Sequence, residues 1–202
     1  MDLTPPTLAG RHVRLVPLTL RHVPALWEAG NDEEIWRWTL SRIRSEDDMR
    51  RYVEGALEKQ AARIAIPFAT TEAETGRVVG STRYHNVEPH DRRVEIGYTW
   101  IGRPWQRTPV NTEAKYLMLR YAFETLGCVR VELRTDALNT RSRNAIQRIG
   151  GVEEGILRKH MRTDGGRFRD TVYFSILDDE WPTVKQRLEE KLARPWTPSA
   201  GS

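Results

Sequence analysis

The most constraining stretch of this chain runs from Arg92 to Gly151. Arg92 to Ile101 alternates cleanly, with Val94, Ile96, Tyr98 and Trp100 on one side and Glu95, Gly97 and Thr99 on the other, which is the period of a strand. A loop of special residues follows, Gly102 to Asn111. From Thr112 a helix runs to the stop at Gly127, with Ala114, Leu117, Met118, Tyr121 and Ala122 on one face. Val129, Val131 and Leu133 then alternate with Arg130, Glu132 and Arg134 as another strand, and a helix from about Asn139 ends at Gly150-Gly151. A loop that feeds a helix N-terminus collects unpaired backbone N–H groups and the positive end of the helix dipole, so it suits an anionic ligand. Gln106, Arg107, Thr108, Asn111 and Thr112 crowd this loop with donors. A merely polar, capped loop has the same composition.

The flanking segments complete a pattern of seven strands. Arg11 to Pro17 alternates as a short strand, and Thr19 caps a helix whose apolar side is Leu20, Val23 and Trp27, disturbed early by Pro24. Ser45 with Asp48 starts a second helix carrying Met49, Tyr52, Val53 and Ala56. Between the two helices, Trp36 and Trp38 either wall a substrate pocket or pack. Ile64 to Thr70 and Arg77 to Asn86 read as strands around a turn at Thr75-Gly76. Glu153 to Arg162 and Phe168 to Leu177 read as a hairpin about Asp164-Gly165-Gly166. A last helix runs from Asp179 or Glu180 to about Leu192, and a disordered tail is expected over 193–202. With no linker or repeat in sight, residues 1–192 form one α+β domain: a mixed, mostly antiparallel sheet in a three-layer plan, flanked by helices.

Composition narrows the function classes. With 39% hydrophobic and 30% charged residues the chain reads as soluble and globular, and no run of about 18 apolar residues offers a membrane span. The first ten residues lack the basic-then-apolar pattern of a secretion signal, and a single cysteine, Cys128, excludes an intramolecular disulfide, so a cytoplasmic location is expected. The net charge of +4 favours an anionic partner or simply a solvated arginine-rich surface. No basic run interleaved with aromatics marks a nucleic-acid groove, so nucleic acid is disfavoured. The histidines show no metal-ligand spacing beyond a weak His85 and His90 pair, and no metal is expected.

Several strings resemble the GCN5-related N-acetyltransferase superfamily (GNAT), and within it the ribosomal-protein N-terminal acetyltransferase branch. They are Glu95-Ile96-Gly97-Tyr98, Thr112-Glu113-Ala114, Tyr121 to Gly127, Arg130-Val131-Glu132, Asn139-Thr140-Arg141-Ser142 running to Gly150, and the final hairpin from Glu153 to Ser175. The resemblance implies a seven-stranded sheet splayed between its fourth and fifth strands. It implies acetyl-coenzyme A, or another acyl-coenzyme A, as cosubstrate and an amine acceptor, either a protein N-terminus or a small molecule. A homodimer stays open. The pantetheine arm is expected along Tyr98, Trp100 and Ile101, and the pyrophosphate on Gln106, Arg107, Thr108, Val110, Asn111 and Thr112. Asn139, Arg141 and Ser142 are expected beside the cofactor, with Arg143 and Arg148 nearby.

Two departures from the family pattern matter. Positions where the family's phosphate loop carries glycines hold Arg107 and Pro109, so Arg107 is expected to replace lost amide contacts. The tyrosine that protonates the leaving thiolate in many relatives is replaced by Ile146, which leaves Ser142 as the nearest donor. Glu95 is the first candidate for the base that deprotonates the amine, against an ordinary ion-pairing role; His85, Glu153 and Glu154 follow. The competing reading is a module that binds or senses an acyl-coenzyme A without efficient turnover.

Overall fold

A computed structural model describes residues 1–196 of the 202-residue chain. Eight strands form one sheet: β1 (Leu8–Ala9), β2 (Val13–Pro17), β3 (Ala65–Glu72), β4 (Val78–Glu88), β5 (Arg93–Ile101), β6 (Arg130–Asp136), β7 (Val152–Arg162) and β8 (Phe168–Leu177). Their order is β1-β2-β3-β4-β5-β6-β8-β7, and only the β5–β6 pair is parallel. The expected seven strands become eight because Leu8–Ala9, too short to show a period, pairs with Arg14 and Leu15.

Six helices flank the sheet: α1 (Val23–Gly30), α2 (Glu33–Trp36), α3 (Glu46–Ala61), α4 (Pro109–Glu124), α5 (Thr140–Arg148) and α6 (Trp181–Ala193). One core joins the sheet to α4, α5 and α6 through Tyr84, Val94, Met118, Val131, Ile146 and Leu188. A second core lies under α1 to α3 around Leu26, Trp36, Met49, Val53 and Trp100. The expectation for residues 197–202 of the tail falls outside the described residues. Before them, Trp196 donates its indole N–H to the Arg107 carbonyl at 3.4 Å.

Local chemistry explains where two helices begin. Thr19 caps only a 3₁₀ turn over Leu20–His22, and α1 starts at Val23, which puts Pro24 in its first turn where a missing N–H costs nothing. The loop helix α4 starts at Pro109 and not at the expected Thr112. The Thr108 hydroxyl accepts from the Val110 N–H at 3.3 Å, and Pro109 takes the first helical position for the same reason as Pro24.

Strand β5 corrects the expected alternation. Arg83 of β4 faces Gly97 while Ser81 faces Trp100, so β5 carries one extra residue there, and Tyr98 adopts φ 51°. This bulge flips the strand's parity. Val94, Ile96 and Ile101 join the core beneath α4, whereas Trp100 crosses to the other face and packs on Trp36 with ring centroids 5.1 Å apart.

A long-range clamp holds α4 against the start of the chain. Both carboxylate oxygens of buried Glu113 accept backbone N–H groups, from Arg11 (2.9 Å), His12 (2.6 Å) and Val13 (2.8 Å). Gly10 is required beside them, since a Cβ there would stand 2.4 Å from the Glu113 carboxyl carbon. Glu113→Gln keeps the shape but leaves one oxygen for three donors, one of them buried. Unfolding in urea should show a loss of about 1.5–3 kcal/mol with an unchanged slope.

Candidate active site

Strands β5 and β6 pair over only three positions, Arg93 with Arg130, Val94 with Val131 and Glu95 with Glu132. Beyond them the strands part, and the edge of β5 from Ile96 to Ile101 lines a cleft of about 540 Å³. The cleft passes through the sheet. Ile96, Leu133, Lys115 and Ile146 line it on the α4 side, and His85, Glu95, Tyr52 and Arg134 on the other. A smaller hollow of about 330 Å³ adjoins its mouth and shares Trp38, Gln106, Asn139 and Arg141 with it. An extended ligand with amides would suit the unpaired β5 edge, because strand backbone groups need partners.

The loop at the cleft's end is tied by its own side chains. Gln106 donates to the Ile101 carbonyl at 2.9 Å and accepts from Arg141 at 3.0 Å, joining the end of β5 to α5. Arg107 sits at φ 63°, the left-handed conformation glycine prefers, so the loop keeps that turn despite the bulkier residue. In the first turn of α4, Pro109 has no N–H and Thr108 satisfies that of Val110. The N–H of Asn111 is left as the helix-end donor. The Asn111 side-chain Oδ1 lines the cleft, buried and without a partner among the described residues, as an acceptor awaiting a donor. An anionic group at this helix end is favoured by the dipole, with the Arg107 side chain beside it.

The structure separates the expected cofactor residues. Tyr98, Trp100, Ile101, Gln106, Arg107, Thr108, Asn111, Asn139, Arg141 and Ser142 all line the cleft. Val110 and Thr112 do not: both side chains are buried away from it, because helical spacing turns them toward the core when Thr108 and Asn111 face the opening. Asn139 caps α5, its side-chain oxygen accepting from the Ser142 N–H at 3.0 Å, which sets Ser142 in the first turn at the cleft wall. Ile146, on the same helix, presents an apolar wall. Trp36 is a core residue that also lines the cleft, its indole donating to the Gly30 carbonyl at 2.8 Å, and half-buried Trp38 lies at the mouth with the Arg37 and Arg167 guanidinium groups near its ring.

Glu95 is 1% exposed and already engaged. Its Oε1 lies 2.7 Å from Arg134 Nε and 3.1 Å from His85 Nε2, both off the hydrogen-bond axes, and its Oε2 accepts from Asn86 at 2.9 Å. A bulge in β4, with Asn86 at φ 47°, brings that amide over. Burial opposes ionisation, but the His85 contact, the Arg134 charge and the Asn86 hydrogen bond outweigh it and hold the carboxyl below its ordinary value. Such a carboxylate is a weak base. Glu153 and Glu154 are held in ion pairs by Arg143 and Arg130, and neither lines the cleft. His85 remains, buried against Gly97, where an added Cβ would stand 2.4 Å from Nε2.

Three contributors escaped the sequence reading. Tyr52 of α3 donates to the Tyr98 carbonyl at 3.3 Å and ties the helix to the bulge. Arg134 of β6 holds Glu95, and buried Lys115 of α4 donates to the Thr99 hydroxyl. Lys115 alone left a signal, a charged residue between Ala114 and the buried pair Leu117 and Met118.

Comparisons with known proteins bear on this geometry. Residues 12–152 match the family described as the acetyltransferase (GNAT) domain. The chain is 36% identical over 110 residues to YdaF of Bacillus subtilis, named as a candidate ribosomal N-acetyltransferase; the match covers 54% of this chain and 59% of that protein. A GCN5-related N-acetyltransferase from Brucella melitensis superposes with a TM-score of 0.89 at 32% identity, over 98% of this chain and 90% of the other. RimJ of Mycobacterium smegmatis, solved in complex with CoA-disulfide, shares the fold with a TM-score of 0.78 at 22% identity, over 95% and 94% of the two chains.

The Glu95 network makes a pH-dependent contribution to stability. Its folded value lies below the ordinary 4.5, so the contribution is present above that pH and is lost as pH falls through the lower folded value. Glu95→Gln should therefore be less stable than the parent at about pH 6, and the gap should narrow toward about pH 3.5. Urea midpoints at the two pH values measure it.

Proposed function

The chain belongs to the GNAT acetyltransferase family, and we propose from this that it transfers an acetyl group from acetyl-coenzyme A directly to a primary amine. The observation that carries the reading is one cleft in which the free edge of β5 meets the N-terminus of α4 at one end and the His85–Glu95 pair at the other. The pantetheine arm, which carries amides, would pair with the backbone of Tyr98 to Ile101 and the Asn111 side chain. The pyrophosphate would meet the Asn111 N–H, Arg107 and Arg141. The thioester then lies beside Gly97 and Tyr98, within the part of the cleft that His85 lines.

Within that placement His85 takes the proton of the attacking amine, beside Glu95, which is anionic and fixed by Arg134. Ser142, at the start of α5 where the helix dipole is positive, offers a hydroxyl to the departing sulfur. Tyr52 and Trp38 wall the acceptor side. The name borne by YdaF favours the N-terminus of a ribosomal protein as acceptor over a small-molecule amine.

Calorimetry with acetyl-coenzyme A and a thiol-release assay against a panel of N-terminal peptides and small amines test the reading together. Arg107→Ala should weaken cofactor binding by about 1.5–3 kcal/mol. His85→Ala should lower turnover by on the order of 10²-fold with binding retained. Ser142→Ala should lower kcat with little change in affinity, as for a contact made mainly in the transition state. Absence of acetyl-coenzyme A binding would overturn the whole reading; unaltered turnover in His85→Ala would overturn only its role.

A further inference from the structure

Lys115 stands in the cleft with no task in the scheme above. Its side chain is 7% exposed, and its Nζ donates to Thr99 Oγ1, which in turn shares a 2.7 Å hydrogen bond with Thr82. Among the described residues no carboxylate pairs with it, and it is the only lysine lining the cleft. Arginine at such a place would stay charged, whereas a buried, uncompensated lysine gives up its proton more readily. The other charged or titratable groups of the cleft are Tyr52 on α3, His85 on β4, Glu95 and Tyr98 on β5, Arg107 in the loop, Arg134 on β6, Arg141 and Arg148 on α5 and Arg169 on β8. None of them contributes to its state: burial alone brings the Lys115 pKa down to about 7. An amine that is partly neutral near pH 7 thus faces the cleft from the α4 side, opposite His85 and Glu95.

We propose that Lys115 is itself an acyl-acceptor site, at which the protein acylates its own side chain from the acyl-coenzyme A bound in the same cleft. The proposal rests on the acyl-coenzyme A reading of the cleft. A thioester carbonyl is planar and open to attack from both faces. The acceptor amine arrives from the His85 face, and the Lys115 nitrogen, held at Thr99 two residues from Gly97, addresses the other. Lys115 Nζ attacks the carbonyl carbon; the C–N bond forms, the C–S bond breaks, and coenzyme A leaves as a thiolate that takes up the proton released by nitrogen. The products are an amide on Lys115 and free thiol, so no further reactant is needed. Swinging Nζ from Thr99 to the carbonyl gives up one hydrogen bond, and confinement beside the thioester makes the step unimolecular. The added acyl group then fills the channel beside Thr99, so acylated protein holds acyl-coenzyme A more weakly.

The test incubates the chain with acetyl-coenzyme A and no acceptor, then maps acetylation by peptide mass spectrometry over its five lysines, Lys59, Lys115, Lys159, Lys185 and Lys191. Lys115 should be modified at least tenfold faster than exposed Lys159 at neutral pH. Its rate should climb as pH rises through about 7 and then level off, as the neutral fraction saturates. Excess free coenzyme A should suppress the Lys115 adduct and leave that on Lys159 unchanged. Calorimetry on the same sample separates the two readings: binding of acetyl-coenzyme A with Lys115 unmodified, or modified no faster than Lys159, overturns the self-acylation and leaves the transferase reading standing. No binding removes both. Lys115→Arg, which has no acylatable amine, should lose the fast adduct in intact-mass spectra. A fast adduct that persists there lies elsewhere and overturns the assignment.

Discussion

The parting of β5 from β6 after three paired residues is the feature on which the site depends. Sheets normally close such gaps, because a strand edge with unpaired backbone groups is costly when buried. Here the gap is held open. The bulge at Tyr98 turns the strand just past the last paired residue, and Tyr52 fastens the bulge to α3. On the far side, β6 pairs along its length with β8 and so cannot follow β5. The resulting slot runs through the sheet and presents strand backbone to any ligand that can act as a substitute strand.

The helix that closes the slot is anchored from a distance. Glu113 holds three backbone N–H groups near the start of the chain, and this fixes α4 at the turn next to its cleft-facing end. A charge buried this way is stabilised by hydrogen bonds and not by a counter-ion. The contrast with Lys115, two residues later on the same helix, is instructive. Backbone donors surround Glu113; only a hydroxyl meets Lys115, and burial brings its pKa down to about 7. Across the slot, Glu95 is held by a cation, an imidazole and an amide, and stays anionic although buried. The two walls of one cleft thus carry a fixed anion and an amine that burial makes easy to deprotonate.

Most of the elements were legible because they follow local rules. The alternation in β2, β5, β6 and β8 and the apolar stripes of α3 and α4 come from periods that hold whatever lies opposite. Caps and prolines show in the sequence as well, although reading α4 from Thr112 overlooked that Pro109 suits the first helical position. The site was legible in its loop and at Asn139 and Ser142, where donors cluster at helix starts. It was less so on β5, since nothing about tyrosine announces a left-handed residue, and without the bulge the side of Trp100 comes out reversed.

By itself the sequence determined the order of elements, the α+β class, the donor-rich loop entering α4 and the family resemblance, since each depends on residues close together in the chain. Tertiary structure alone decided which charges meet. Glu95 and Arg134 are 39 positions apart, and Arg11 and Glu113 are 102 apart. Burial and partners set whether an ionisable side chain is an anchor, a base or a nucleophile, and both are properties of the assembled sheet. The chain could show that Glu95 and Lys115 were present; only their surroundings in space held one as a fixed anion and lowered the pKa of the other.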